Sequence, residues 1–161
     1  MIHEVTGDIL LSNAQTIAHG IAAADHFDVG LALSLRERWP AMAKDFRHWC
    51  HTTHPKAGAL WLWSGADRKR IACLLTQDAA PNEHARPGAA QLPHVHHALR
   101  ELARTVIDEH IQSLALPKLA TGVGGLAWDK VYPLIQEHLG PLSIPVYVYT
   151  TFKANERAVE G

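Results

Sequence analysis

A three-layer α/β/α sandwich around a mixed central sheet is the architecture this sequence predicts, and three observations predict it. Short apolar runs and stretches of helical periodicity follow one another in the order β β α β β α β α β. The C-terminal half repeats strand, helix, strand at a spacing that calls for right-handed parallel crossovers. Residues 114–128 then read Leu-Ala-Leu-Pro-Lys-Leu-Ala-Thr-Gly-Val-Gly-Gly-Leu-Ala-Trp, an apolar strand running into a glycine-rich turn that opens a helix near Trp128. That junction is where a parallel sheet binds phosphate.

The elements follow in order. Residues 2–6 and 16–22 alternate or run apolar as strands, with Gly7-Asp8 and a Ser12-Asn13 turn between them. Leu31, Leu35 and Trp39 recur at helical spacing from Gly30 to Arg38, where Pro40 breaks the helix or starts the next turn, and a second helical piece runs from about Ala41 to Cys50. Leu60-Trp61-Leu62-Trp63 and Ile71-Ala72-Cys73-Leu74-Leu75 bracket Ser64-Gly65-Ala66-Asp67, a hairpin or adjacent strand pair. A polar loop from Gln77 to Gly88 leads to an amphipathic helix whose apolar positions are Leu92, Val95, Leu99, Leu102 and Val106. A strand at 114–119, the glycine loop at 120–127, a helix at 128–139 ended by Gly140-Pro141, and a strand at 145–150 complete the domain.

A chain of 161 residues, 47% hydrophobic and 19% charged, suits one globular domain with a full core, expected over residues 1–152 with a flexible tail at 153–161. Fifteen basic and sixteen acidic side chains nearly cancel, so global charge gives no reason to expect nonspecific nucleic-acid affinity. Cys50 and Cys73 are the only cysteines, and there is no signal-peptide pattern or membrane-length apolar run, so the expected location is a reducing cytoplasm. Twelve histidines include the groups His48, His51, His54 and His94, His96, His97. No C-x-x-C or H-E-x-x-H pattern completes a ligand set, so no metal is expected and the histidines read as exposed side chains that gain charge below about pH 6.5.

In sheets of this kind ligands sit beyond the carboxyl ends of the strands, which selects the loops at 20–30, 76–88 and 120–127. Glycines at 122, 124 and 125 permit close approach and positive φ, so several N–H groups can converge on one anion. The turn has neither the Lys-Ser/Thr ending of a Walker A loop nor G-x-G-x-x-G spacing. It must hold phosphate by backbone alone.

Three motifs carry a family resemblance that runs from Ile2 to Thr150. They are Val5-Thr6-Gly7-Asp8-Ile9; Ile17-Ala18-His19-Gly20-Ile21 with Gly30-Leu31-Ala32, Arg36, Arg38, Trp39 and Pro40; and Gly122-Val123-Gly124-Gly125-Leu126-Ala127-Trp128. Together they resemble a macrodomain, the ADP-ribose-binding module, in the branch containing terminal ADP-ribose protein glycohydrolase and DarG. The resemblance implies that Asp8 accepts a hydrogen bond from the adenine amine and that the Ile9 backbone reads the ring. It implies a first binding loop with His19, Gly20, Ile21, Gly30 and Leu31, the strand-end Thr76, and a second loop of Thr121, Gly122, Val123, Gly124, Gly125 and Leu126. Tyr149 or Phe152 would stack on adenine, with a core aromatic as the alternative for Tyr149 and an ordinary turn or cap for Asp8.

Catalytic positions depart from the family pattern. Relatives in this branch place a lysine directly after the strand-end threonine and an acid in the second loop, where this chain has Gln77 and Gly124; other macrodomain hydrolases use a loop aspartate at the place of Ala32. Glutamine has no nucleophilic amine, so a covalent lysine mechanism is not expected. What remains is substrate-assisted hydrolysis, in which the substrate's phosphate stabilises an oxocarbenium-like state while Asp25 or Asp28 acts as base and Gln77 orients water or sugar. Solvated loop acids are the alternative for both aspartates. Asp78, His84 and Arg86 share the Gln77 loop with no direction assigned.

The resemblance thus implies a domain that binds ADP-ribose and hydrolyses mono-ADP-ribose from modified proteins at acidic side chains, with no cofactor and no membrane partner. The alternatives are a non-catalytic reader and a hydrolase of ADP-ribosylated DNA. DNA would call for a basic surface beside the cleft, and no basic run supplies one: Arg68-Lys69-Arg70 reads as a hairpin tip.

Overall fold

Strand alternation and helix spacing produce the expected layers. The computed structural model describes residues 1–82 and 84–161. Six strands, β1 (Ile2–Gly7), β2 (Thr16–Ala22), β3 (Leu60–Ser64), β4 (Arg70–Gln77), β5 (Leu114–Pro117) and β6 (Val146–Phe152), form one sheet in the order β1-β6-β5-β2-β4-β3. All neighbours are parallel except β3, which runs antiparallel to β4 and pairs Leu60 with Leu74. The strand pair around Gly65 is therefore a hairpin, closed by the Gly65 N–H donating to the Lys69 carbonyl at 2.8 Å.

Four helices cover the two faces: α1 (Gly30–Arg38), α2 (Pro40–Thr53), α3 (Leu92–Asp108) and α4 (Trp128–Leu139). Side chains alternate between the faces along each strand. Ile17, Ile21, Ile71, Cys73 and Leu75 meet Leu35, Met42 and Phe46 of α1 and α2. Ala18, Ala72, Leu74, Leu114 and Leu116 meet Val95, Leu99, Leu102, Val131 and Ile135 of α3 and α4. Burial on both faces explains why the central strands read as near-continuous apolar runs.

Pro40 both ends one helix and starts the next. Trp39 closes α1, its N–H donating to the Leu35 carbonyl at 2.8 Å, and Pro40 takes the first position of α2, where a missing N–H costs nothing. Among the described residues, no helix is long and apolar enough to cross a membrane.

Residues 153–161 differ from the free tail expected of them. They have little regular structure, yet the Glu160 carboxylate accepts from Ser12 Oγ at 2.6 Å, the Asn13 N–H at 2.9 Å and the Tyr149 hydroxyl at 2.6 Å. The Asp8 N–H donates to the Glu156 carbonyl at 2.7 Å. Charge-assisted bonds of this length fix a segment that periodicity cannot reveal.

Candidate functional site

Because β1, β2, β4, β5 and β6 are parallel, their carboxyl ends share one edge, and the sheet order diverges between β2 and β5. The loops that leave those ends build a cleft at this divergence. Its first wall is the 23–29 loop. Ala24 (φ 59°) and Phe27 (φ 56°) hold strained left-handed backbone, and Gly30 (φ 59°), which opens α1, takes the same conformation without a Cβ penalty. Fully buried Phe27 pins the loop, packing edge-on against Phe46 with ring centroids 5.2 Å apart. The loop delivers α1 with no side-chain cap, so the Gly30, Leu31 and Ala32 N–H groups have no acceptor among the described residues.

The glycine turn forms the second wall. Its Gly125 N–H donates to the Gly122 carbonyl at 3.1 Å, its Leu126 N–H to the Ala120 carbonyl at 3.0 Å, and the Thr121 hydroxyl to the Lys118 carbonyl at 2.7 Å. Those donors are spent within the turn. The consecutive N–H groups of Gly122, Val123 and Gly124 are left without acceptors among the described residues, which is the arrangement that cradles an anion. Gly124 is required sterically, since a Cβ there would lie 2.6 Å from the Ala120 carbonyl oxygen and 2.8 Å from the Ala90 Cβ. An acid at this position would not fit the turn as it stands.

Other candidate residues take different places. The His19 imidazole is 2% exposed, 3.2 Å from Cys73 Sγ and against Phe27, and burial holds its pKa down to about 4. It is a neutral core group rather than a wall of the cleft. Ile21 is likewise core, and Gly20 is small because a Cβ would meet Thr76 Oγ1 at 2.8 Å, beside a buried hydroxyl that has no partner among the described residues. Asp8, 6% exposed, caps the 3-10 turn at Ile9–Leu11: its carboxylate accepts from the Leu10 N–H at 3.0 Å and the Asn155 N–H at 2.9 Å. The Ile9 N–H beside it has no acceptor among the described residues.

Tyr149 is buried, its hydroxyl donating to Glu160, and burial raises its pKa well above the usual phenol value. Phe152 is the available aromatic, 68% exposed and in register with Gly7 at the end of β6. Gln77 is 7% exposed, and its Nε2 donates to the Gly88 carbonyl at 2.9 Å, holding the following loop. Asp25 and Asp28 both line a groove between the 23–29 loop and α2. Asp25 is half-buried and fixed by the Phe27 N–H at 2.8 Å; desolvation raises its pKa, the Phe27 bond lowers it, and neighbouring Asp28 raises it. Asp78 is occupied by Gln91 and His94, at 2.8 and 3.1 Å.

Val123 and the 23–29 loop border a groove of about 1750 Å³ that they share with α2 and with residues 80, 82 and 84–87. Arg36, Lys44, Arg47 and Arg86 line it, with His26, His48, His51, His54 and His84, against the carboxylates of Asp25 and Asp28 among the described residues. This basic surface was not legible as a run because three separate segments build it. Its signal lay in α2, where 44, 47, 48 and 51 follow the i, i+3, i+4, i+7 spacing of one helix face. Arg68-Lys69-Arg70, by contrast, lies at the opposite edge of the sheet. Lys69 Nζ donates to the Ser12 and Ala14 carbonyls at 2.9 and 2.6 Å, and Arg70 pairs with Glu109 at 2.7 Å.

A mixed sheet between two helical layers, with loops carrying free amides at its switch point, defines a three-layer α/β domain, and its fold is that of a macrodomain. The solved structures it resembles include the macrodomain of Thermus aquaticus DarG (TM-score 0.81, 23% identity, 93% of this chain and 98% of that one). Thermosipho africanus DarTG in complex with ADP-ribose gives TM-score 0.81 at 23% identity, over 97% of this chain and 42% of that one. Among curated proteins, the chain is 26% identical over 157 residues to the DNA ADP-ribosyl transferase-DNA ADP-ribosyl glycohydrolase fusion protein of Thermosipho africanus, covering 90% of this chain and 40% of that protein. It is 24% identical over 150 residues to the DNA ADP-ribosyl glycohydrolase of Thermus aquaticus, covering 92% of this chain and 41% of that protein. This chain spans less than half the length of these curated relatives. No family model matches it.

Proposed function

We propose that this domain binds ADP-ribose between the start of α1 and the 122–124 turn and hydrolyses it from ADP-ribosylated DNA. The observation that carries the reading is that Val123 of the glycine turn and the 23–29 loop leading into α1 both line the basic groove. Free N–H groups on both walls suit a diphosphate, which needs directed donors more than net charge. Phe152 and the Ile9 N–H suit an adenine at the β1 and β6 end. Arg36, Lys44, Arg47 and Arg86 then suit the phosphates of a strand that presents the distal ribose to the cleft. The similarity to DNA ADP-ribosyl glycohydrolases supports the same substrate.

Hydrolysis breaks the bond between the anomeric carbon of the distal ribose and the base, and water supplies the new oxygen. Positive charge develops on the sugar and the bound diphosphate stabilises it, so the protein mainly contributes orientation. Asp25 is the suited base: one oxygen is fixed by Phe27, and desolvation brings its pKa closer to working range. Gln77 acts as a positioning residue, since its amide is committed to Gly88. That same commitment, at the place where relatives carry lysine, favours the second reading of a non-catalytic reader.

The test is release of free ADP-ribose from an ADP-ribosylated single-stranded oligonucleotide and from a mono-ADP-ribosylated protein carrying the modification on an acidic side chain. The proposal expects release from DNA, slowed at least tenfold by Asp25→Asn with ADP-ribose affinity retained. Release from protein alone would overturn the DNA assignment, and binding without release from either substrate would leave a reader.

A further inference from the structure

On the face of the sheet away from the basic groove, α3 and α4 bring together three groups that no part of the ADP-ribose reading uses. His138 Nε2 lies 2.9 Å from His96 Nδ1 and 3.7 Å from Glu137 Oε2. These ligand atoms all lie within 4.8 Å of one another. We infer that His96, Glu137 and His138 form a zinc site that ties α3 to α4.

The chemistry of the donors favours an ion over a simple contact. Two imidazole nitrogens facing each other can share only one proton. A tetrahedral zinc with Zn–N bonds of about 2.0–2.1 Å sets its ligand nitrogens roughly 3.4 Å apart, so an opening of about half an ångström admits the ion. The Glu137 oxygen already stands at a distance suited to the third position. Two histidines and a carboxylate are a set zinc accepts, and they leave a fourth position for water. The packing of α3 on α4 brings the two imidazole rings to a centroid distance of 4.6 Å. The exposed Glu137 supplies a negative charge, while Arg100 is the opposing cation that the site must tolerate. His97 meets His96 edge-on at a centroid distance of 5.7 Å but is not one of the three ligands.

Sequence spacing could not reveal the set. Its halves are about forty residues apart and only the packing of α3 on α4 joins them.

The experiment uses the untagged full chain, stripped with chelator and titrated with zinc chloride by calorimetry, alongside thermal melts. One zinc per chain is expected, with a melting temperature that rises as zinc is added. His138→Gln and the milder, exposed Glu137→Gln should each weaken zinc affinity at least tenfold, whereas His97→Ala and His54→Ala should leave it unchanged. Cobalt substitution gives a readout independent of variant folding: the wild-type chain should show visible absorption of a four- or five-coordinate ion, lost on adding excess zinc. No stoichiometric zinc, equal affinity in Glu137→Gln, or loss of binding in His54→Ala would overturn the assignment.

Discussion

Replacing Gly122 with glutamate tests the cradle without disturbing the fold. An ideal Cβ at Gly122 meets nothing within 4 Å, and its φ lies outside the left-handed region, so a side chain is accommodated. Gly124 is unsuitable for the same purpose because a Cβ there collides with the Ala120 carbonyl, and any loss could reflect a broken turn. A carboxylate from position 122 would stand about 5 Å from one phosphate and farther from the other. With an effective dielectric of about 40 for a half-wet cleft, the repulsion comes to about 2 to 3 kcal/mol, or roughly 30- to 150-fold in Kd. Gly122→Ala, which adds volume but no charge, should change the melting free energy by less than about 0.5 kcal/mol and the affinity only slightly. Calorimetry with ADP-ribose on both variants gives the answer. A folded Gly122→Glu protein that binds ADP-ribose as tightly as wild type would refute the placement of the diphosphate.

The other predictions address the groove, the adenine end and the core. Lys44→Ala and Arg47→Ala should weaken single-stranded DNA binding evenly across sequences and each lower the salt slope of log K by roughly 0.7, read by fluorescence anisotropy at several salt concentrations. Phe152→Ala should cost about 1 to 2 kcal/mol of ADP-ribose affinity through lost stacking. Tyr149→Phe should leave that affinity unchanged and lower stability by about 1 kcal/mol, because it loses the bond to Glu160. His19 has a folded pKa of about 4 against 6.5 when unfolded, so the unfolded state binds the extra proton between these values. Stability is therefore full above pH 6.5 and falls by about 3 kcal/mol as pH drops through 4, a slope that urea melts should show flattened in His19→Leu.

Much of the layer architecture was readable because it rests on local periodicity. Val95, Leu99, Leu102 and Val106 mark the buried side of α3, and the two apolar runs around Gly65 mark the β3–β4 hairpin. The glycine turn was equally legible, since consecutive free N–H groups follow from local backbone geometry. Features set by distant partners were not. Glu160 meets Ser12 across 148 positions, which converts an apparent tail into a docked segment. His19 belongs to a binding-loop motif, yet its parity along β2 points the ring toward Cys73 and the α1–α2 layer. The two aromatics near the end of β6 are separated in the same way: Tyr149 faces inward, whereas Phe152, in the last pair of the strand opposite Gly7, is exposed. The basic groove needed the fold to gather Arg36, Lys44, Arg47 and Arg86 from separate segments before its charge could be seen.

Amide chemical-shift changes during titration with ADP-ribose test the central claim most directly, because each free N–H on the two walls is a separate probe. The account predicts the largest shifts at Gly30, Leu31 and Ala32 and at Gly122, Val123 and Gly124, with smaller ones near Ile9 and Phe152. Saturation with no change in either triplet, or shifts confined to the α3–α4 face, would contradict it.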